Sequence, residues 1–121
     1  MRFLQPALVP IVTAFFCFLT PEVSNSNNAR LLFFTASWCA PCQKMKPAVE
    51  SLARRYRVEM VLVDFDASPQ AVRDFKVESL PTIVLLDSNR QLLLRAEGSG
   101  KQTMDALVAA LKILARRKES P

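Results

Sequence analysis

The stretch Trp38-Cys39-Ala40-Pro41-Cys42 places two cysteines at the start of an amphipathic helical pattern. Thiols at this spacing can close a disulfide across one helical turn. The first thiol would lie at the helix N-terminus, where partial positive charge stabilises its thiolate. Because a thiolate attacks disulfides and a thiol does not, the stretch predicts a redox pair with Cys39 as the nucleophile and Cys42 as the resolving thiol.

Cysteine and histidine usage limits the other kinds of site. The chain has three cysteines and no histidine, and Cys17 lies in an apolar N-terminal segment. Without histidine, Cys-His and Ser-His nucleophilic pairs and His-containing zinc sites are excluded. Two thiols are too few for a Cys-only zinc site, and Gln43 stands where c-type haem attachment needs histidine. We therefore predict no metal and no cofactor besides the redox-active Cys39–Cys42 pair.

The N-terminal residues differ in composition from the rest of the chain. Arg2 precedes an apolar stretch from Phe3 to Leu19 that is shorter than a membrane-spanning helix and contains prolines. This pattern is typical of a secretory signal peptide or a short N-terminal membrane anchor. We assign residues 1–20 to such a leader, 21–29 to a polar linker, 30–116 to one folded domain and 117–121 to a tail.

The net charge of +5 comes from basic residues that are dispersed along the chain. Their only runs are Arg54-Arg55 with Arg57, and Arg116-Arg117-Lys118. Such runs are typical of solvated helix ends, where basic side chains are favourable near the C-terminus. Because no basic stripe carries interleaved aromatic residues, we predict no nucleic-acid partner.

The hydrophobic pattern predicts an α/β domain with the order βαβαββα. The opening βαβ unit should form a parallel strand pair, and the last two strands should form an antiparallel hairpin. The strands are apolar runs rather than alternations, so helices should cover both faces of a four-stranded mixed sheet. Predicted strands are 31–35, 58–64, 82–86 and 91–95, and predicted helices lie near 45–56, 68–75 and 104–114.

At this point the chain resembles the thioredoxin family. The Cys-Ala-Pro-Cys loop resembles its active-site loop, Pro47 its helix-kinking proline, and Leu80-Pro81-Thr82 its cis-proline loop, while the region of Asp64, Asp66 and Pro69 is similar to its strand exit. The resemblance covers about residues 30–115. It implies a short thioredoxin-like fold, protein-disulfide oxidoreductase activity and a cis Pro81 that faces the thiols. The substrate-binding residues that it implies are Trp38, Pro41, Leu80, Pro81 and Thr82.

The chain departs from the family at a buried acid–lysine pair. The acid corresponds to Phe33 and the lysine to Leu62, so the usual proton acceptor for the resolving thiol is replaced by an apolar residue. Asp66 and Glu78 are candidates to substitute for that acceptor. The first strand and helix of the family have almost no counterpart here, since only the polar linker precedes Arg30.

Together, the leader and the redox pair predict an extracytoplasmic location, most simply a bacterial periplasm, where a membrane electron donor would keep the pair reduced. A strongly oxidising member of the family commonly has histidine within the pair, which favours a reductase or isomerase over a disulfide-forming oxidant here. A thioredoxin-like binding module with incidental thiols is the alternative from another class. Both cysteines and Pro81 are present, which argues against it.

Overall fold

A computed structural model describes residues 28–119 of the chain. The predicted leader and most of the predicted linker lie outside these residues. The elements follow the predicted βαβαββα order. They are β1 (Arg30–Thr35), α1 (Ala40–Arg55), β2 (Glu59–Asp64), α2 (Pro69–Asp74), β3 (Thr82–Leu86), β4 (Leu92–Glu97) and α3 (Lys101–Glu119).

The four strands form one mixed sheet in the order β2-β1-β3-β4. β1 runs parallel to β2 and antiparallel to β3, and β3 and β4 form the predicted antiparallel hairpin. The register sets Thr35 beside Asp64 and Phe34 beside Thr82, so these residues share one end of the sheet. We call it the disulfide end, because the loop after Thr35 leads to the Cys39–Cys42 disulfide.

Side chains alternate between two apolar layers, one on each face of the sheet. On one face Phe33 packs with the buried sides of α1 and α3, and on the other Phe34 packs with the region around α2. The helix α1 continues through Pro47 and buries Met45, as its apolar spacing predicts. The prediction of helices on both faces is therefore confirmed.

The interpretation of residues 58–64 as a buried strand is wrong. Among the described strands, β2 pairs only with β1 and forms an edge of the sheet. Its residues are exposed or half-buried, and Leu62 keeps 49% of its surface exposed. An apolar β-branched run indicates a strand, but the position of the strand in the sheet decides how much of it is covered.

The helix α3 continues to Glu119, through residues that the sequence interpretation assigned to a tail after residue 116. Arg117 Nη1 lies 3.6 Å from Asp87 Oδ2 and joins the last turns of the helix to the residue after β3. Basic side chains at a helix C-terminus interact favourably with its partial negative charge, which supports these additional turns. Over residues 28–119, no helix is long and apolar enough to cross a membrane.

Candidate active site

Cys39 and Cys42 form a disulfide at the N-terminus of α1, with their Cα atoms 5.3 Å apart. Cys39 is the N-cap residue, and its Sγ accepts a hydrogen bond from the backbone N–H of Cys42 at 3.2 Å. Cys39 is 4% exposed and Cys42 is fully buried. The sulfur of Cys39 therefore lies at the positive end of the helix, and Cys39 is the less completely buried of the two residues.

The local sequence explains why the helix begins at this point. The N–H of Cys39 donates to the carbonyl of Ala36 at 3.1 Å, which closes the turn after β1. Pro41 lies in the first turn, where the missing N–H of proline leaves no helical hydrogen bond unmade. The first turn holds no acidic residue, so no carboxylate competes with a Cys39 thiolate for the helix terminus.

Trp38 projects beside the disulfide with 65% of its surface exposed. Its Nε1 donates to Asp66 Oδ2 at 2.8 Å. Asp64 Oδ1 accepts the backbone N–H groups of Asp66 and Ala67, which holds the turn after β2 and directs Asp66 toward the active-site loop. Of the two candidate acceptors, Asp66 therefore contacts this loop, whereas Glu78 lines a separate groove with Arg95 and Glu97.

The loop before β3 brings a free peptide group to the disulfide end. The Leu80–Pro81 bond is cis, as the resemblance implies, and Pro81 and Thr82 are buried. The Pro81 carbonyl accepts from Gly98 N at 2.8 Å, and Thr82 Oγ1 donates to the Ser79 carbonyl at 2.7 Å. Within residues 28–119, the backbone N–H and C=O of Leu80 form no hydrogen bond.

Sequence reasoning missed the side chains that hold this loop. The Arg95 guanidinium donates to the carbonyls of Phe75 (3.0 Å) and Lys76 (2.6 Å) and lies 2.6 Å from Glu97 Oε2. Ser79 Oγ donates to Glu97 Oε1 at 2.5 Å. The hydrogen bonds from Ser79 and Arg95, together with the positive charge of Arg95, lower the pKa of Glu97. These residues are scattered along the sequence without a motif, so only the folded chain identifies them.

An apolar groove of about 440 Å³ flanks the disulfide on the side of α1 and α3. Ala40 and Pro41, the two residues between the cysteines, form part of its wall. The groove therefore lies next to the Cys39–Cys42 disulfide. Its remaining lining residues are Lys44, Met45, Ala48, Ser99 and Met104.

The interior behind the disulfide is apolar, as predicted from the presence of Phe33 and Leu62 at the family's acid and lysine positions. Phe33 is fully buried in the same cluster as Cys39 and Cys42. Leu62 lies beside Phe33 in the β1–β2 register, but it is half-exposed at the edge of the sheet. A basic side chain at position 62 would reach water, whereas an acid at position 33 would not.

Comparisons with known proteins agree with this geometry. The family model described as Thioredoxin matches residues 18–113. Thioredoxin H2 of Arabidopsis thaliana is 32% identical over 92 residues, which cover 75% of this chain and 68% of that protein. A thioredoxin of Mycobacterium bovis is 29% identical over 85 residues, covering 69% of this chain and 73% of that protein.

Solved structures show the same similarity. The oxidised mitochondrial thioredoxin 3 of Saccharomyces cerevisiae is 30% identical and superposes with a TM-score of 0.63. The match covers 85% of this chain and 90% of the yeast chain. Sequence and fold therefore agree on one family.

Proposed function

This chain belongs to the thioredoxin family of thiol:disulfide oxidoreductases, and we propose that it reduces or isomerises protein disulfides with Cys39 as the nucleophile and Cys42 as the resolving thiol. The observation that carries the proposal is the unequal placement of the two sulfurs. Cys39 Sγ caps the helix and accepts the Cys42 N–H, while Cys42 is fully buried. The helix terminus and this N–H both stabilise negative charge on Cys39.

In the proposed reaction the reduced protein passes two electrons to its partner. The Cys39 thiolate attacks one sulfur of the partner disulfide, forms a mixed disulfide and releases the other partner sulfur as a thiolate. Cys42 then loses its proton and attacks Cys39 Sγ. The mixed disulfide breaks, the second partner thiolate leaves, and the Cys39–Cys42 disulfide closes, while the two released thiolates take up protons.

Substrate binding in this proposal uses the peptide group of Leu80. Its unpaired N–H and C=O can add one short strand of the partner beside the disulfide, as in β-augmentation. The exposed Trp38 indole would cover one side of that strand, and Pro41 would contact it from the active-site loop. Pro81 and Thr82 are buried and would hold the loop from the side that faces the core. The apolar groove beside Pro41 accommodates a partner side chain next to the reactive cysteine.

The proposal includes a location outside the cytoplasm, most simply a bacterial periplasm, with a membrane protein as electron donor. The support is the predicted leader of residues 1–20. Apart from Cys17 in this leader, the chain contains only the two cysteines of the proposed redox pair. A reporter fused after Asn28 should be active outside the cytoplasm. A full-length chain recovered soluble from the cytoplasm would contradict this part of the proposal.

Turnover of a disulfide-bonded protein such as insulin, with dithiothreitol as the electron source, tests the catalytic roles. Cys39→Ser should abolish turnover, whereas Ser37→Ala, an exposed loop change, should leave it unaltered. The reduction potential of the Cys39–Cys42 couple tests the direction. A potential near that of reducing family members supports a reductase, and one near that of strongly oxidising family members overturns it.

A further inference from the structure

The two basic runs of the sequence meet at one end of the molecule. α1 begins at the disulfide end and returns to the start of β2, so Arg54 and Arg55 lie at the opposite end of the sheet. α3 also begins near the disulfide end, since Ala40 and Ser99 line one groove. The contact between Arg117 and Asp87 fixes its C-terminus beside the residue after β3, again at the opposite end.

We call this opposite end the basic end. It comprises the first residues of β1 and β2, the last turn of α1, the β3–β4 turn and the last turns of α3. All of its basic side chains with described burial are exposed. They are Arg30, Arg54, Arg55, Arg57, Arg90, Lys112, Arg116 and Arg117.

Little negative charge offsets this cluster. The described acidic side chains on the same segments are Glu59, which is bridged to Arg30, and Asp87, which is bridged to Arg117. Within residues 28–117, Arg54, Arg55 and Arg116 form no ion pair. A surface with several unpaired guanidinium groups attracts a polyanion strongly at low salt.

We infer that the basic end binds the anionic phospholipid surface of a membrane and holds the disulfide away from the bilayer. Arginine and lysine side chains close to an anionic phospholipid surface are attracted to its headgroups over about a Debye length. Here β1 begins within the basic end at Arg30, and the apolar stretch ends at Leu19, eleven positions earlier in the sequence. The connection from Leu19 to Ala29 reaches at most about 35 Å when fully extended.

The same observations favour a lipid surface over a nucleic acid. The described chain enters β1 at the basic end, so attachment of the preceding apolar segment to a membrane would bring this end toward the headgroups. A surface for a single-stranded nucleic acid would be expected to present exposed aromatic side chains among the basic ones. Tyr56 lies within the arginine run but is half-buried against the core, and the exposed Trp38 lies at the disulfide end. The inference rests on the proposed membrane-directed leader and not on the direction of electron transfer.

Partition of the full-length chain into vesicles tests the inference. One set of vesicles contains phosphatidylcholine alone, and the other contains phosphatidylcholine with phosphatidylglycerol. The first set reports the contribution of the apolar leader, and the increase in the second set reports the charge-dependent contribution. We expect Arg54→Gln/Arg55→Gln to lower the phosphatidylglycerol-dependent increase roughly tenfold or more at low salt, because each basic residue near an anionic surface contributes severalfold.

Lys44→Gln/Lys46→Gln is the matched control, since it removes the same charge from the other end of the same helix. It should lower the increase by much less than the arginine pair. Equal losses from the two double variants would overturn the inference, as would an increase that high salt leaves unchanged. Binding to a DNA duplex as tight as binding to the anionic vesicles, at equal phosphate concentration, would overturn the choice of lipid.

Fluorescence tests the orientation, because Trp38 is the only tryptophan of the chain. Brominated phosphatidylglycerol should leave Trp38 emission nearly unchanged on binding. In the variant Trp38→Phe/Asn89→Trp the indole is in the exposed β3–β4 turn of the basic end, and the same lipid should quench it strongly. Stronger quenching of Trp38 than of the indole in the turn would overturn the proposed orientation.

Discussion

The disulfide end and the basic end of this sheet are built in different ways. At the disulfide end both cysteines lie in one run of sequence and on one helical turn. At the basic end the charges come from separate helices, a strand start and a turn that meet only in the folded chain. A reactive motif that lies on one helical turn can therefore be recognised in contiguous sequence. The charge density of a surface instead depends on where distant elements end in the folded chain.

Substitutions at the two ends should have the largest difference in their effect on disulfide reduction. Cys39→Ser removes the attacking sulfur and should abolish disulfide reduction, and Cys42→Ala should accumulate mixed disulfides because attack survives without resolution. Arg54→Gln/Arg55→Gln should keep full turnover in solution. Insulin reduction and mass spectrometry of the trapped species measure these outcomes. Turnover by Cys39→Ser would show that the reactive group lies elsewhere.

Phe33→Asp tests how strongly the disulfide end depends on its apolar interior. Phe33 is fully buried, so the substitution removes a packed ring and buries a carboxylate without a partner. We expect unfolding by urea to show a loss of about 3–5 kcal/mol. Addition of Leu62→Lys at the adjacent, half-exposed position should recover part of that loss, because contacting sites couple.

Phe33→Asn provides the control for charge in that experiment. Burial raises the pKa of the introduced carboxyl above its unfolded value, so the folded state retains the proton to higher pH. The stability difference between Phe33→Asp and Phe33→Asn should therefore be smallest below about pH 4 and should grow as the pH rises toward the raised pKa. A Phe33→Asp chain as stable as wild type would mean that this side chain is not buried behind the cysteines.

Arg95→Gln tests the loop before β3 at the disulfide end while leaving both cysteines unchanged. The variant loses hydrogen bonds to the carbonyls of Phe75 and Lys76 and the ion pair with Glu97. We expect a loss of stability of about 1–3 kcal/mol and a severalfold rise in KM for a protein substrate. The alkylation rate of Cys39 should stay unchanged. A fall in kcat at unchanged KM would argue against a role in positioning the Leu80 loop.

The smallest expected effect concerns Glu97. Ser79 and Arg95 lower its pKa, so its contribution to stability is present above the unfolded pKa and is lost as the pH falls through the folded one. Ser79→Ala removes the first of these hydrogen bonds and should move the pKa of Glu97 back toward its ordinary value. An NMR titration of the Glu97 carboxyl carbon measures that shift. A pKa unaltered by Ser79→Ala would leave Arg95 as the cause.

Several features could be predicted because they depend on neighbouring residues. The order of the elements, the burial of Met45 and the position of Cys39 at a helix terminus follow from local spacing and are confirmed. The burial of β2 could not be predicted in this way. Its apolar residues are those of a strand, but its place at the sheet edge is set by pairing with a strand more than twenty positions away.

The residues around the cysteines illustrate the same limit. Sequence reasoning left Asp66 and Glu78 as equal candidates to stand near the active-site loop. The turn after β2 brings Asp66 to Trp38, whereas Glu78 lies in the groove beside Arg95. The neighbouring sequence predicts neither position, because each depends on how two loops approach one another in the folded chain.

The succession of strands and helices could be predicted from the sequence alone, because helical spacing and hydrophobic periodicity act over a few residues. The Cys39–Cys42 pair and the family could be recognised there too, because their motifs are short and contiguous. The folded chain was needed to show that Leu80 has no backbone hydrogen bond within residues 28–119, which side chains hold its loop, and that two distant arginine runs lie at one end of the sheet. Those properties arise when strand pairing and helix packing bring remote segments together. Their free energies belong to contacts that do not exist until the chain has folded.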